Sequence, residues 1–124
     1  MPAKTRIAEL FGKQEGYGRP GKIPTVRHNP LDLRHSPNSS HEGISPEGIG
    51  IIADDDLGWK DGERQLEIWA KEGLTLRQAI ALRQAPKGDG ANDPEVYLAG
   101  VLQGLADTKL SDLLKIPAAA SKLT

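Results

Sequence analysis

The chain has no cysteine, which removes disulfide frameworks, thiolate zinc sites and cysteine nucleophiles together. It is also poor in aromatics. Phe11, Tyr17, Trp59, Trp69 and Tyr97 are all it has, so the core must be built on Leu, Ile and Ala. Neither sign of charge dominates: 16 basic residues stand against 17 acidic ones, for a formal net charge of -1. Such a balance gives no global field to draw in nucleic acid or an anionic membrane, and neither is expected as a partner. No apolar run is long enough for a membrane span or the core of a signal peptide. At 124 residues the chain suits one core rather than two.

What is present is mostly helical periodicity. Ile7, Leu10 and Phe11 recur at i, i+3, i+4, the spacing of a one-sided helix over residues 3–14, with Gly16 and Gly18 as its stop. Glu15 lies four residues beyond Phe11 and eight beyond Ile7, so continuing the helix puts its carboxylate on the inward face. Between Tyr17 and Ala53 come Pro20, Pro24, Pro30, Pro37 and Pro46, and long regular elements are not expected there. Within this region Leu31 and Leu33 flank Asp32, and Ile49, Ile51 and Ile52 form a β-branched run. These predict two short strands or an irregular hairpin, with residues 35–48 as a surface loop between them.

Helical signals then resume. The run Asp54, Asp55, Asp56 reads as the N-terminal cap of a helix that carries Trp59, Gly62, Leu66 and Trp69 on one face and stops at Gly73. Thr75 should cap a helix with Leu76, Ala79, Ile80 and Arg83 on successive turns. Asp93-Pro94 opens a further helix bearing Val96, Leu98, Val101, Leu102 and Leu105, expected to be the most buried and to receive Ile7, Leu10 and Phe11. A short helix over residues 108–116 and a flexible tail over 117–124 complete the chain. The fold class predicted is therefore mainly α, a single domain over 1–116 with a short irregular β hairpin and a long Pro/Gly-rich loop.

Few constellations could carry chemistry. His28, His35 and His41 share one proline-rich stretch with Asp32 and Glu42, but spacings of seven and six on a loop match no usual ligand pattern, and no metal or cofactor is expected. Ser36, His35 and Asp32 can be drawn as a triad, yet no nucleophile elbow accompanies them. Asp54 and its neighbours read first as a helix cap, with a second reading as a carboxylate facing Glu15. Tyr17, in a Gly-rich turn beside Glu15, and Tyr97, near the start of the expected buried helix, are suited to stacking on or hydrogen-bonding a polar ring.

Three blocks, Gln14-Glu15-Gly16-Tyr17-Gly18 with the turn at Arg27 to Pro37, Ile49 to Ile80, and Asn92-Asp93-Pro94 to Leu105, follow one another in a distinctive order. In this order the chain resembles small bacterial and phage proteins of lysozyme-like fold, and is similar to peptidoglycan glucosaminidases and lytic transglycosylases. The resemblance implies a lysozyme-like domain acting on β-1,4-linked amino-sugar polymer, peptidoglycan first and chitin-type second. It implies Glu15 as the catalytic acid/base, with Asp32 and Asp54 as candidate second carboxylates and Tyr17, Asn29, Arg34, His35 and Tyr97 as substrate contacts. A helix-end glutamate packed on apolar groups would keep its proton near neutrality. The alternative the resemblance carries is a non-catalytic virion structural or cell-wall-binding protein that retains the fold. The location it implies is cytoplasmic as synthesised, or virion-associated in company with virion proteins, without a signal peptide. His28-Asn29-Pro30-Leu31-Asp32 stands where the resembling proteins have Asn-Asn-Pro-Gly-Asn, which implies altered subsites or lost activity.

Overall fold

The computed structural model describes residues 5–84 and 103–116 of the chain. Helix α1 runs from Arg6 to Glu15. Thr5 caps it by accepting the Ala8 N–H, and Gly16 ends it in the left-handed region at φ 100°, which glycine adopts without a β-carbon penalty. Its buried face is Ile7, Ala8, Phe11 and Gly12, with Leu10 partly buried beside it. Helix α2 is a single turn over Ile23–Val26 with Pro24 in its first turn.

The two-stranded sheet differs from expectation. Strand β1 is Ser39–Ser40 and pairs antiparallel with β2, Ile51–Ile52, in the register Ser39 to Ile52 and Ser40 to Ile51. Leu31 and Leu33 are both buried, as their alternation suggests, but they form a turn and not a strand. Asp32 between them has φ 58° and His28 has φ 50°, and a left-handed residue breaks the extended ladder. The pairing strand comes instead from the segment read as a surface loop.

Helix α3, Asp55–Lys71, is the long element, about 25 Å for its 17 residues. Asp54 caps it through the Leu57 N–H, with Asp55 and Asp56 in its first turn where negative charge suits the helix dipole. Trp59, Gly62, Leu66 and Trp69 form its buried face as the spacing predicts. Thr75 and Gln78 make a reciprocal capping box at the start of α4, Leu76–Ala79. That helix continues as a π-helical turn over Ile80–Gln84, a departure that periodicity does not announce. A 3-10 turn spans Gln103–Leu105, and α5 covers Leu110–Leu113. The returning chain is stitched to α4 by backbone bonds from Leu76 N to Thr108 O and Arg77 N to Ala106 O, and from Leu110 N to Leu74 O. The helix expected from Pro94, with Val96, Val101 and Leu102, and the tail 117–124 lie outside the described residues.

The core joins Ile7, Phe11, Leu31, Leu66, Leu76, Ile80 and Leu110, all fully buried. Its tightest contact is between the turn at His28–Leu31 and α3. A β-carbon placed on Gly58 would lie 2.0 Å from the His28 carbonyl oxygen, and one on Gly62 would lie 2.9 Å from Leu31 Cδ1. Gly12 of α1 meets the Trp59 ring in the same manner, at 2.7 Å from Cη2.

Gly58→Ala should therefore destabilise the protein by roughly 2 kcal/mol or more, even though alanine gains about 1 kcal/mol over glycine in a helix interior. Gly62→Leu should cost about 1–3 kcal/mol by overpacking against Leu31. Urea-unfolding midpoints measure both, and an unchanged midpoint for Gly58→Ala would show that the turn and helix can part.

Candidate functional site

Turn 27–34 is built by one side chain. Asn29 is fully buried; its Nδ2 donates to Leu33 O at 2.7 Å and Gly50 O at 2.9 Å, and its Oδ1 accepts the Leu33 N–H at 3.0 Å. The turn is tied to β2 as well, through Ile52 N to Arg27 O at 2.9 Å and Arg27 Nη1 to Ile49 O at 2.7 Å. These bonds fix Asp32 in its left-handed conformation, with its own N–H given to Asn29 O at 2.9 Å.

The C-terminal end of α1 comes against this turn. A β-carbon on Gly12 would touch Pro30 at 3.4 Å. Thr25 Oγ1 accepts the Gly18 N–H at 2.9 Å, and it donates to Gly16 O at the outer limit of 3.5 Å. Glu15, the last residue of α1 and partly buried, acts on Asp32 through its charge. Asp32 is pushed up to about 6, by burial first and by the Glu15 charge second, against the opposing pull of Arg27 and Arg34. Its Oδ1 is buried and, among the described residues, has no hydrogen-bond partner.

Beside the pair lies an aromatic corner. Tyr17 meets Trp59 edge to face, ring centroids 5.1 Å apart at 73°. Burial, and then the hydrogen bond and charge of Asp55, hold the Tyr17 hydroxyl above the usual phenol range. His28 Nδ1 is 2.9 Å from Asp55 Oδ1.

Of the sequence-predicted site residues, Glu15, Asp32 and Tyr17 fall within this one region. Asn29 belongs to it as a brace: its amide is spent on the backbone and offers no surface to a ligand. Asp54 is engaged as the α3 cap, accepting the Leu57 N–H at 2.9 Å, which corresponds to its first reading rather than to a carboxylate facing Glu15. Arg34 is exposed and acts on Asp32 through its charge. His35 lies against His41, the rings tilted by 34° with centroids 4.7 Å apart. Tyr97 lies outside the described residues. The three histidines do not converge, and no group of three or more His, Asp or Glu among the described residues is placed to hold a metal ion.

Asp61 is the residue sequence reading missed. It is 2% exposed, and accepts from Ser36 Oγ at 2.6 Å, Asn38 N at 2.8 Å and Asn38 Nδ2 at 2.6 Å. This carboxylate anchors the segment that carries β1 onto α3. The available signal was its place on the inner face, three residues beyond Gly58 and next to Gly62. No protein-family model, curated protein or solved structure matches this chain.

Ionising Asp32 costs the folded state, because its carboxyl is raised from 3.8 to about 6. The cost is absent below about pH 4, where folded and unfolded chains both hold the proton, and complete above about pH 6. Asp32→Asn should therefore stabilise the protein by about 1–2 kcal/mol at pH 7, after discounting for solvent screening, and that gain should fade as the pH is lowered towards 4. Denaturation midpoints of the two proteins across pH 4–8 give the comparison, and a difference that does not vary with pH would show Asp32 to be unperturbed.

Proposed function

We propose that the protein is a lysozyme-like domain that binds β-1,4-linked amino-sugar polymer, peptidoglycan first and chitin-type second, and cleaves its glycosidic bonds at Glu15 and Asp32. The observation that carries this reading is that two carboxyl groups are coupled through their charge, one at a helix end and one on a left-handed turn residue, with the second partly buried and raised towards neutrality. Glycoside cleavage asks for two such groups in different protonation states, one to protonate the departing oxygen and one to answer the positive charge at the anomeric carbon. A carboxyl raised by burial and by a neighbouring charge is of the kind that acid-base sites use.

The surroundings suit a sugar. Tyr17 supplies an apolar edge and a polar tip beside Glu15, and is steadied by Trp59. Arg34 is exposed and places positive charge near Asp32, a sign of charge suited to the carboxylate groups of a peptidoglycan strand. Asn29 and Asp61 hold the two segments that frame the region, so their contribution is to geometry. No helix among the described residues is long and apolar enough to cross a membrane.

Glu15→Gln keeps shape and most hydrogen bonding but cannot carry a proton or a charge. Release of soluble fragments from peptidoglycan should fall by about two to four orders of magnitude, while sedimentation with the insoluble polymer should persist. A native protein that sediments with the polymer but releases no fragment between about pH 4 and 8, the range spanning ordinary and raised carboxyls, would instead be the non-catalytic cell-wall-binding or virion component. Cleavage that survives Glu15→Gln would place the chemistry elsewhere.

A further inference from the structure

We propose that Asp32, and not Glu15, is the proton donor of this carboxyl pair, and that Glu15 is its ionised partner. The donor role rests on the glycoside-cleaving reading; the position of the proton does not.

The argument begins from a comparison within the molecule. Asp61 is almost completely buried, and both of its oxygens are taken by donors, three bonds in all from Ser36 and Asn38. That is how a folded chain satisfies the oxygens of a buried carboxyl group. Asp32 is treated in the opposite way. Its Oδ1 is buried without a partner among the described residues, while two donors of the same turn are engaged with backbone: the Asn29 amide with Leu33 O and Gly50 O, an Arg27 nitrogen with Ile49 O. Leaving a buried charged oxygen unsatisfied costs several times more than leaving a neutral one so.

Asp32 is partly exposed, but its backbone is held from both sides. Leu31 on one side is fully buried and Leu33 on the other nearly so, and the Asp32 N–H is fixed to Asn29 O. The left-handed backbone at φ 58° is therefore imposed by its neighbours. The charged groups that act on Asp32 are Glu15 from α1, which opposes its ionisation, and Arg27 and Arg34 from its own turn, which favour it; burial outweighs them, and the carboxyl is raised to about 6. Two carboxyls in one region share a charge most easily when the one with a buried, unpartnered oxygen keeps the proton.

In the cleavage step the C1–O bond breaks and its electron pair leaves with the glycosidic oxygen, which takes the proton from Asp32. Water adds to C1, and the proton it loses passes to Glu15. The pair thus gives one proton and regains one for each bond cut, and the proton's return to Asp32 restores the resting state.

Carbon-13 NMR of the side-chain carboxyls in the full chain locates the proton directly. Asp32 should titrate at about pH 6, with Glu15→Gln moving its midpoint down and Arg34→Ala moving it up. An Asp32 midpoint near the ordinary value of about 4, or one unmoved by Glu15→Gln, overturns the proposal. The donor role is read by leaving group. Asp32→Asn should lose about two to four orders of magnitude on peptidoglycan but retain most of its rate on a 4-nitrophenyl β-glycoside of an N-acetylglucosamine oligomer, because nitrophenolate departs without a proton; Glu15→Gln should lose both. The reverse pattern makes Glu15 the donor. A chain that cleaves neither substrate removes the glycoside-cleaving reading and the donor role with it, while the carbon titration still decides where the proton sits. Asn tolerates the left-handed conformation at position 32, so the variant is expected to fold.

Discussion

The contact between the His28–Leu31 turn and the first half of α3 is the constraint on which the rest of the structure depends. A helix and a turn approach this closely only where the helix has no side chains, and Gly58 and Gly62 supply that gap. With the turn seated, Leu31 reaches the core, Asn29 reaches Gly50 and Leu33, and Asp32 is left with a conformation it would not choose. The strain at Asp32 is therefore a consequence of packing on its two flanks. Glycine in a helix has an entropic cost, and here it is offset by the burial of Leu31 and by the backbone bonds to β2 that close approach permits.

The two buried polar side chains among the described residues divide the framing of the site between them. Asn29 binds the turn to the strand that follows it, and Asp61 binds the segment carrying β1 to the helix beneath. Both satisfy backbone groups that would otherwise be stranded away from water in an irregular region. A proline-rich stretch that cannot form long ladders needs such substitutes. The candidate site thus stands on irregular backbone made rigid by side-chain hydrogen bonds, with α1 and α3 as the walls it leans on.

What could be read from the sequence was whatever local chemistry decides. Ile7 and Phe11, and the Trp59, Leu66, Trp69 face, are buried because helical spacing alone puts them on one side. The caps at Asp54 and Thr75 and the stop at Gly16 are local hydrogen-bond patterns and were equally legible. Glu15 could be placed at the inward end of α1 by counting residues. The pairing of Ser39 with Ile52 could not, since neither serine has strand character and the pairing is held by Asp61 from a distance in sequence. The left-handed state of Asp32 was hidden for a similar reason: Leu-Asp-Leu alternation reads as extended chain until a glycine some thirty residues later forces a turn. The isolation of the Oδ1 of Asp32 is a matter of tertiary packing, which no local pattern contains.

The backbone bond from Arg6 N to Ile116 O, at 2.8 Å, closes the described fold on itself, since residue 6 opens the first helix and residue 116 lies just past the last. Points so close together are the geometry that insertion requires. A unit whose entry and exit lie side by side can be carried in a surface loop of a larger polypeptide without prising the host apart, and the host would hold α1 and α5 together as the hydrogen bond now does. For such a unit the surrounding chain acts as a covalent clasp that lowers the entropy of the opened state, and the clasp lies at the opposite end of α1 from Glu15.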